Sequence, residues 1–276
     1  MKKTLLASFI ITSTSLLFVG CSATEQTENN AMMATQQRNE QQIKHFFDNT
    51  NISGVIVIKN GQKTSVYGNH LDRAKTEYVP ASTFNMLNAL IGLEHNKVTS
   101  TEIFKWNGEK QSLAAWEKDM TLGEGMHVSN VPLYQQLALR IGRELMKNEV
   151  KRTNFGNNNI GKKVDDFWLV GPLKITPIQE ADFAYRFAFK TLPFKQSVQD
   201  EVQKMAFLDE KNGRKIYGKT GLGPDGDTKV GWFTGWVEQP NGEKTAFSLN
   251  MDMQPDTPYA IRNEIAYQAL EQLGVL

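Results

Sequence analysis

The chain has 276 residues, of which 40% are hydrophobic and 22% are charged, so it is long enough for one or two globular units with a sizeable core. Its formal net charge of +1 gives no electrostatic case for nucleic acid or an acidic lipid surface as a partner. Four histidines and one cysteine exclude a disulfide and argue against a zinc cluster. Composition therefore predicts a globular protein with neither a nucleic-acid partner nor a metal.

The N-terminus has the features of a secretory signal. Two lysines near the start are followed by an apolar run over residues 5–19, which is too short for a comfortable membrane-spanning helix. The run ends in the sequence LFVGC at residues 17–21, which is similar to a bacterial lipoprotein cleavage box with Cys21 as the lipidated residue. Because Phe18 is less usual than leucine in that box, plain cleavage is the alternative. We predict a signal over residues 1–20, export to the periplasm, and a lipid anchor on Cys21.

The next stretch predicts a tether followed by a folded domain. Residues 21–41 are rich in Gln, Asn, Thr and Glu with few apolar side chains, a composition typical of a flexible tether. Ile43, Phe46 and Phe47 then fall on one face of a predicted short helix. We therefore place the folded domain at residues 42–276.

Strand-like segments occur at both ends of this domain. They are rich in β-branched and aromatic residues and predict strands at residues 54–59, 63–67, 214–218, 229–238 and 244–252. Asn60-Gly61 predicts the tight turn of a hairpin between the first two. The middle of the chain, residues 80–204, is mostly helical in pattern, and residues 258–276 predict a closing helix. The predicted class is α/β: an antiparallel sheet flanked by terminal helices, with a helical region in addition.

The run from Pro80 to Leu93 predicts a buried helix with Ser82 in its first turn. Its apolar residues recur mainly at helical spacing, and Pro80 suits a first turn because its missing N–H costs nothing there. At that position, free backbone N–H groups and the positive end of the helix dipole favour an attacking serine oxygen that gains negative charge. The alternative is that Ser82 or Thr83 only caps the helix, which is the commoner role.

A second serine, Ser129, is predicted in a tight turn between two helices. Residues 121–124 have capping-box spacing for the start of the first helix. Pro132 disfavours helical geometry before it and can open the second helix. Such a turn can aim the Ser129 hydroxyl into a cleft, and it can equally let Ser129 cap the second helix.

Three motifs in order resemble a known set. A serine at a helix start, the loop Ser129-Asn130-Val131 and the triplet Lys219-Thr220-Gly221 resemble the motifs of active-serine penicillin-recognising enzymes. From about residue 54 to residue 276 the chain is similar to the class D serine β-lactamases. Further matching segments lie at residues 78–84, 155–157, 166–173 and 231–236. The resemblance implies that family's fold, with β-lactams as small-molecule partners.

The resemblance also implies an acyl-transfer mechanism. Ser82 would attack the carbonyl of the β-lactam ring and form an acyl-enzyme. Ser129 would relay a proton beside it, and the backbone N–H groups of Ser82 and Leu222 would form an oxyanion hole. Lys219 is implied both in catalysis and, with Thr220 and Arg262, in binding the substrate carboxylate.

The implied substrate site includes residues that also have simpler explanations. Its members besides the catalytic group are Val131, Trp168, Thr220, Gly221, Leu222 and Arg262. Without the resemblance, Arg262 would be a charge on a helix surface and Trp168 a core aromatic residue. In the family the matching tryptophan donates to a lysine carbamate, so here its indole N–H is expected to lack that acceptor.

Asn85 departs from the family pattern. The family has a lysine three residues after the serine, and its CO2-derived carbamate is the general base for both acylation and deacylation. The Asn85 amide can be neither carbamylated nor protonated near neutral pH, so no cofactor is expected. We expect an exported hydrolase of β-lactams with slow acylation and still slower deacylation. The alternatives are a penicillin-binding trap or sensor-like protein, and a cell-wall peptidase.

Overall fold

The computed structural model describes the backbone of residues 20–276 and the side chains of residues 26–276. Residues 1–19 of the predicted signal and the side chain of Cys21 lie outside the described residues. None of the helices in the described part of the chain has the length and apolar character needed to cross a membrane.

The described chain contains eight α-helices and eight strands, with five consecutive helices in its middle and four consecutive strands after them. The α-helices are α1 (Gly20–Asp48), α2 (Asn85–Glu94), α3 (Leu122–His127), α4 (Val131–Ile141), α5 (Arg143–Thr153), α6 (Pro177–Ala188), α7 (Gln196–Ala206) and α8 (Ile261–Gln272). The strands are β1 (Gly54–Asn60), β2 (Lys63–Gly68), β3 (Ile103–Phe104), β4 (Met120–Thr121), β5 (Phe207–Lys211), β6 (Arg214–Asp225), β7 (Thr228–Glu238) and β8 (Lys244–Met253).

Six of the strands form one antiparallel sheet in the order β2-β1-β8-β7-β6-β5. The predicted hairpin is present, because β1 and β2 pair from Asn60 and Lys63 outwards. The N- and C-terminal strands of the domain meet in the middle, where β1 pairs with β8. The predicted α/β class with an antiparallel sheet is confirmed.

Each face of the sheet is covered by its own apolar core. On one face, Ile43 and Phe47 of α1 and Ile265 of α8 pack against strand residues that include Phe247 and Leu249. The region between β2 and β5 forms the larger core together with strand residues, and this core includes the buried rings of Phe84, Phe155, Phe167, Trp168 and, from β7, Trp236. The candidate site lies where this helical region meets strand β6.

Helix α1 differs from the predicted tether. Its backbone is helical from Gly20 to Asp48, although residues 26–38 have exposed side chains. The chain from Cys21 to Asp48 contains neither proline nor glycine and is rich in helix formers such as Ala, Gln, Glu and Met, so helix is its favoured local state without a core. Residues 40–276 form one compact unit. The domain start at residue 42 stays a prediction.

Two features of the C-terminal strands were not predicted. Strand β5 is exposed along its whole length, so it has none of the apolar alternation by which strands are recognised. Strand β6 continues past Gly218 to Asp225, because its pairing with β7 is unbroken through Gly221 and Gly223. The Lys219-Thr220-Gly221 triplet therefore lies in mid-strand rather than at a strand end.

Candidate active site

Ser82 lies in a strained turn that leads into helix α2. Residues Ala81–Phe84 form a 3-10 turn directly before Asn85, and Ser82 is 7% exposed. Ala81 has a φ of +51°, a left-handed conformation that costs about 1–3 kcal/mol in a non-glycine residue. The Ala81 N–H donates to the carbonyl of Trp168 at 2.8 Å, which helps to hold this conformation. Neither Ser82 nor Thr83 makes a side-chain cap, so the capping alternative finds no support in the geometry.

Asn85 is the first residue of α2 and is almost completely buried. It is 2% exposed, and its Nδ2 has no hydrogen-bond partner among the described residues. A buried donor without a partner costs about 1–3 kcal/mol. The amide group itself does not take up a proton near neutral pH. The position three residues after Ser82 therefore holds a polar group that cannot act as a base.

Ser129 and Lys219 are in direct contact. Helix α3 ends at His127, and Ser129 follows in a left-handed conformation with a φ of +52°. Helix α4 is capped by Asn130, whose Oδ1 accepts from the Leu133 N–H at 3.0 Å, so Ser129 is not the cap. The Ser129 hydroxyl is left to meet Lys219 Nζ, which also donates to the Thr220 carbonyl at 2.8 Å.

The environment of Lys219 favours its neutral form. Lys219 is buried, and burial lowers the pKa of its ammonium to about 7, with the positive charge of Arg262 as a second cause. Part of the Lys219 population is therefore neutral near pH 7. A neutral amine can accept a proton from the hydroxyl it contacts, whereas the ammonium can only donate.

Arg262 is buried at the start of α8 rather than displayed on the helix surface. It is 8% exposed, its Nη1 donates to the Gly221 carbonyl at 2.6 Å, and its Nε donates to the Tyr259 carbonyl at 3.0 Å. Its Nη2 makes no hydrogen bond within the described residues. The guanidinium is thus fixed against β6 with one nitrogen still available to an anionic group.

Strand β6 lies directly against the Ser82 turn. A methyl group added at Gly221 would come within 2.9 Å of the Pro80 carbonyl oxygen, so this glycine allows a close approach of the two backbones. The indole N–H of Trp232 donates to the Val79 carbonyl at 2.9 Å and ties β7 to the same segment. Asn88 Nδ2 donates to the Tyr134 carbonyl at 3.2 Å and ties α2 to α4.

The remaining predicted site residues have different degrees of exposure. Trp168 is a core residue that stacks on Phe84 with ring centroids 5.5 Å apart, and its indole N–H makes no hydrogen bond to the described residues. Val131 is the half-buried first residue of α4. Thr220 is half-buried, and Leu222 packs towards the core beneath α8. Direct contacts of these four residues with a substrate stay predictions.

Comparison with known proteins identifies the family. Residues 23–271 match the family model described as penicillin binding protein transpeptidase domain. The β-lactamase OXA-48 of Klebsiella pneumoniae is 34% identical over 87% of this chain and 90% of its own length. The solved structure of FUS-1 (OXA-85), a class D β-lactamase of Fusobacterium nucleatum subsp. polymorphum, is 33% identical with a TM-score of 0.81 and covers 86% of this chain and 98% of that one.

The chain belongs to the class D β-lactamase family. A regulatory protein, BlaR1 of Bacillus licheniformis, is 28% identical over 83% of this chain but only 38% of its own length. Within residues 26–276 no cluster of three histidine, cysteine, aspartate or glutamate side chains could hold a metal ion.

One pair of buried polar residues beside Ser82 was not predicted. Thr83 Oγ1 lies 2.6 Å from Oε1 of Glu180, and both residues are completely buried. A signal for Glu180 exists in the sequence: it shares the apolar stripe of α6 with Phe183, Ala184 and Phe187, at offsets of three, four and seven residues. A charged residue type within such a stripe indicates a buried polar contact, but only the fold shows that its partner is Thr83.

Proposed function

We propose that this class D protein reacts with β-lactams through an acyl-enzyme on Ser82 and hydrolyses that ester slowly because Asn85 is not a base. The observation that supports acylation best is the contact of Lys219 with Ser129, on the strand that packs against the Ser82 turn. Relatives that the chain matches over most of its length are named as β-lactamases.

The residues present offer a route for the protons of the acylation step. Ser82 must lose a proton as its oxygen attacks, and the ring nitrogen must gain one as the amide bond breaks. Ser129 with the partly neutral Lys219 is the group able to accept and return a proton. The left-handed Ala81 fixes the turn that carries Ser82, whose backbone N–H would donate to the oxyanion.

The deacylation step lacks a comparable group. A positioned general base contributes about 10²- to 10⁴-fold to rate, and the amide of Asn85 contributes none of it. A water attacking the ester therefore has no base at the position that the family uses. We propose that the acyl-enzyme accumulates.

A second candidate function follows from the same residue. If deacylation is negligible, the protein is a penicillin-binding trap or sensor-like protein rather than a hydrolase. The similarity to the regulatory protein BlaR1 over 83% of this chain favours keeping this candidate. The two functions differ only in the lifetime of the acyl-enzyme.

We also propose that the protein is exported and anchored through Cys21. The support is the sequence alone: the basic start, the apolar run and the LFVGC box. Expression of the full chain and of Cys21→Ser in a bacterial host, followed by fractionation and detection of a lipid-sized mass increase, tests it. If the full chain and Cys21→Ser are equally soluble and neither shows the mass increase, the anchor is excluded. If the full chain stays in the cytoplasm with residues 1–20 still attached, export is excluded.

The experiment for the proposed function combines two readouts on one sample. Purified protein is mixed with benzylpenicillin, ring opening is followed by absorbance, and intact mass is taken at intervals, with Ser82→Ala as the control. We expect a one-to-one adduct that is absent in Ser82→Ala and slow ring opening after the first equivalent. Fast sustained ring opening without an adduct would contradict the role given to Asn85, and no adduct with no ring opening would contradict the function itself.

A further inference from the structure

Glu180 is a completely buried carboxyl group that the acylation chemistry does not use. It lies in α6, with Oε1 at 2.6 Å from Thr83 Oγ1. Its other oxygen, Oε2, is buried without a hydrogen-bond partner among the described residues. An ionised carboxylate without compensating donors is among the most unfavourable groups to bury. The surroundings of Glu180 therefore oppose its charged form.

The single hydroxyl proton of Thr83 also favours the protonated form of Glu180. Thr83 Oγ1 also lies 2.8 Å from the Pro80 carbonyl oxygen, which can only accept a hydrogen bond. The hydroxyl has one proton, so it cannot donate to both Pro80 and Glu180. When Glu180 is protonated, it donates to Thr83, and Thr83 donates to Pro80. When Glu180 is ionised, the Thr83 hydroxyl can donate to the carboxylate or to the Pro80 carbonyl, but not to both. The other oxygen then faces the hydroxyl oxygen with no proton between the two atoms.

The charges around α6 do not alter this balance. Burial raises the pKa of the Glu180 carboxyl to about 8, and the contact with Thr83 opposes that rise only in part. On the strands and turn that pack against α6, Lys59 pairs with Asp182 at 3.2 Å and Arg73 pairs with Asp252. No cation among the described residues makes an ion pair with Glu180.

We infer that Glu180 is a protonated carboxylic acid that donates through Thr83 to the Pro80 carbonyl and so holds the Ser82 turn in its reactive position. It is a positioning residue, since it touches neither Ser82 nor the space where a substrate would bind. Its effect on rate rests on the proposed function, whereas its protonation and its effect on the turn do not.

The consequence for the site comes through the Pro80 carbonyl. This oxygen is fixed by Thr83 on one side and lies close to the backbone of Gly221 on the other. Movement of Pro80 would change the distance between the Ser82 turn and β6, where Lys219 and the predicted oxyanion donor Leu222 lie. The Pro80 oxygen also accepts from the Thr83 N–H at 3.3 Å, and the hydrogen-bond chain from Glu180 adds a second restraint on the spacing of the two halves of the site.

The first test is the pH dependence of stability in the full chain. The folded pKa of Glu180 is above the unfolded value, so the folded form keeps a proton that the unfolded form loses between about pH 4.5 and pH 8. Stability due to this group is therefore full below that window and falls as pH rises through it. We expect the urea midpoint to fall relative to that of Glu180→Gln from pH 5 to pH 8, because glutamine keeps a donor to Thr83 and does not titrate.

Asp182→Asn is the matched control for this test. It makes the same acid-to-amide change on the same helix, but the Asp182 carboxyl is only half-buried and is ion-paired. We expect its midpoint to run parallel to that of the unsubstituted protein over pH 5–8. Parallel curves for Glu180→Gln as well would show that Glu180 is ionised in the folded protein, and would overturn the inference.

The second test measures the turn itself. Hydrogen exchange of peptides covering residues 80–86 is compared for the unsubstituted protein, Glu180→Gln, Glu180→Leu and Thr83→Val. We expect exchange at least tenfold faster in Thr83→Val and Glu180→Leu, and unchanged exchange in Glu180→Gln. Unchanged exchange in Thr83→Val, which keeps the side-chain volume, would overturn the positioning role even if Glu180→Leu fails to fold.

The acylation rate with benzylpenicillin connects the turn to the chemistry. We expect Glu180→Gln to acylate within about threefold of the unsubstituted protein at pH 7 and Thr83→Val to be at least tenfold slower. Equal rates in Thr83→Val would overturn the effect on rate. If the unsubstituted protein forms no adduct, the proposed function fails, while hydrogen exchange and the pH series still decide the role of Glu180.

Discussion

At the scale of single residues, Asn85 is the main predicted departure from the family pattern. Asn85 occupies a buried position next to the Ser82 turn, with an Nδ2 that no described residue accepts from. The amide fits the space and keeps the fold, yet it cannot take a proton. Lys219, by contrast, is made partly neutral by burial, so it is a residue that can take up a proton near neutral pH.

Restoring a lysine at Asn85 is the direct test at this scale. We expect Asn85→Lys to raise the steady-state turnover of benzylpenicillin by about 10²- to 10⁴-fold, the usual contribution of a positioned base. Because the family's lysine acts as a carbamate, the gain should increase with added bicarbonate. Asn85→Gln is the control, since it adds length without basicity. Equal turnover of all three proteins would show that the residue at this position does not limit the reaction.

At the scale of elements, the site depends on how closely β6 approaches the Ser82 turn. The contact is between two backbones, at Gly221 and the Pro80 carbonyl, so neither side can yield by rotating a side chain. The end of α3 at His127 and the cap of α4 at Asn130 then place Ser129 in contact with Lys219. The turn, the loop and the strand thus fix each other's positions.

Gly221→Ala should separate the strand from the turn. The added methyl would lie 2.9 Å from the Pro80 oxygen, and overpacking of this kind costs about 1–3 kcal/mol. We expect urea unfolding to show that loss in the free energy of unfolding. We also expect acylation, followed by intact mass, to be at least tenfold slower. Gly123→Ala is the matched control, because its methyl meets only the flexible Met205 side chain. A variant Gly221→Ala that acylates at the normal rate would argue against the importance of this contact.

At the scale of the molecule, the compact unit that contains the sheet begins within helix α1. Residues 40–276 form one compact unit, and within it the C-terminal half of α1 buries Ile43 and Phe47 against the sheet. The side chains of residues 26–38 are exposed. Stability should therefore depend on the last turns of α1 and not on the residues before them.

Two truncations separate these parts of α1. We expect a chain that begins at Glu40 to keep the full free energy of unfolding within about 0.5 kcal/mol, as for changes on the surface. A chain that begins at Asn49 also loses Ile43 and Phe47, each worth about 1.5–3 kcal/mol when fully buried, so we expect a loss of roughly 3–6 kcal/mol. Urea unfolding measures the free energy of unfolding of both truncated chains. Equal losses in the two chains would show that the stabilising part of α1 does not begin at Glu40.

The sequence by itself determined the features that depend on neighbouring residues. The hairpin at Asn60-Gly61, the capping box at Thr121 and the helix opened by Pro132 all form as predicted, because each is made by hydrogen bonds within a few residues. The order of the three motifs was likewise enough to predict the family. Strand β5 was missed because an exposed edge strand has no apolar pattern to detect.

Only the tertiary structure decided how the site residues are charged and held. The neutral tendency of Lys219, the burial of Arg262 and the pairing of Glu180 with Thr83 join residues separated by tens of positions in the chain. Burial and proximity are properties of the folded neighbours, and they shift a pKa or assign a proton in ways that residue type does not reveal. The sequence therefore predicted which residues could react, and the fold supplies the burial and the contacts that govern their protons.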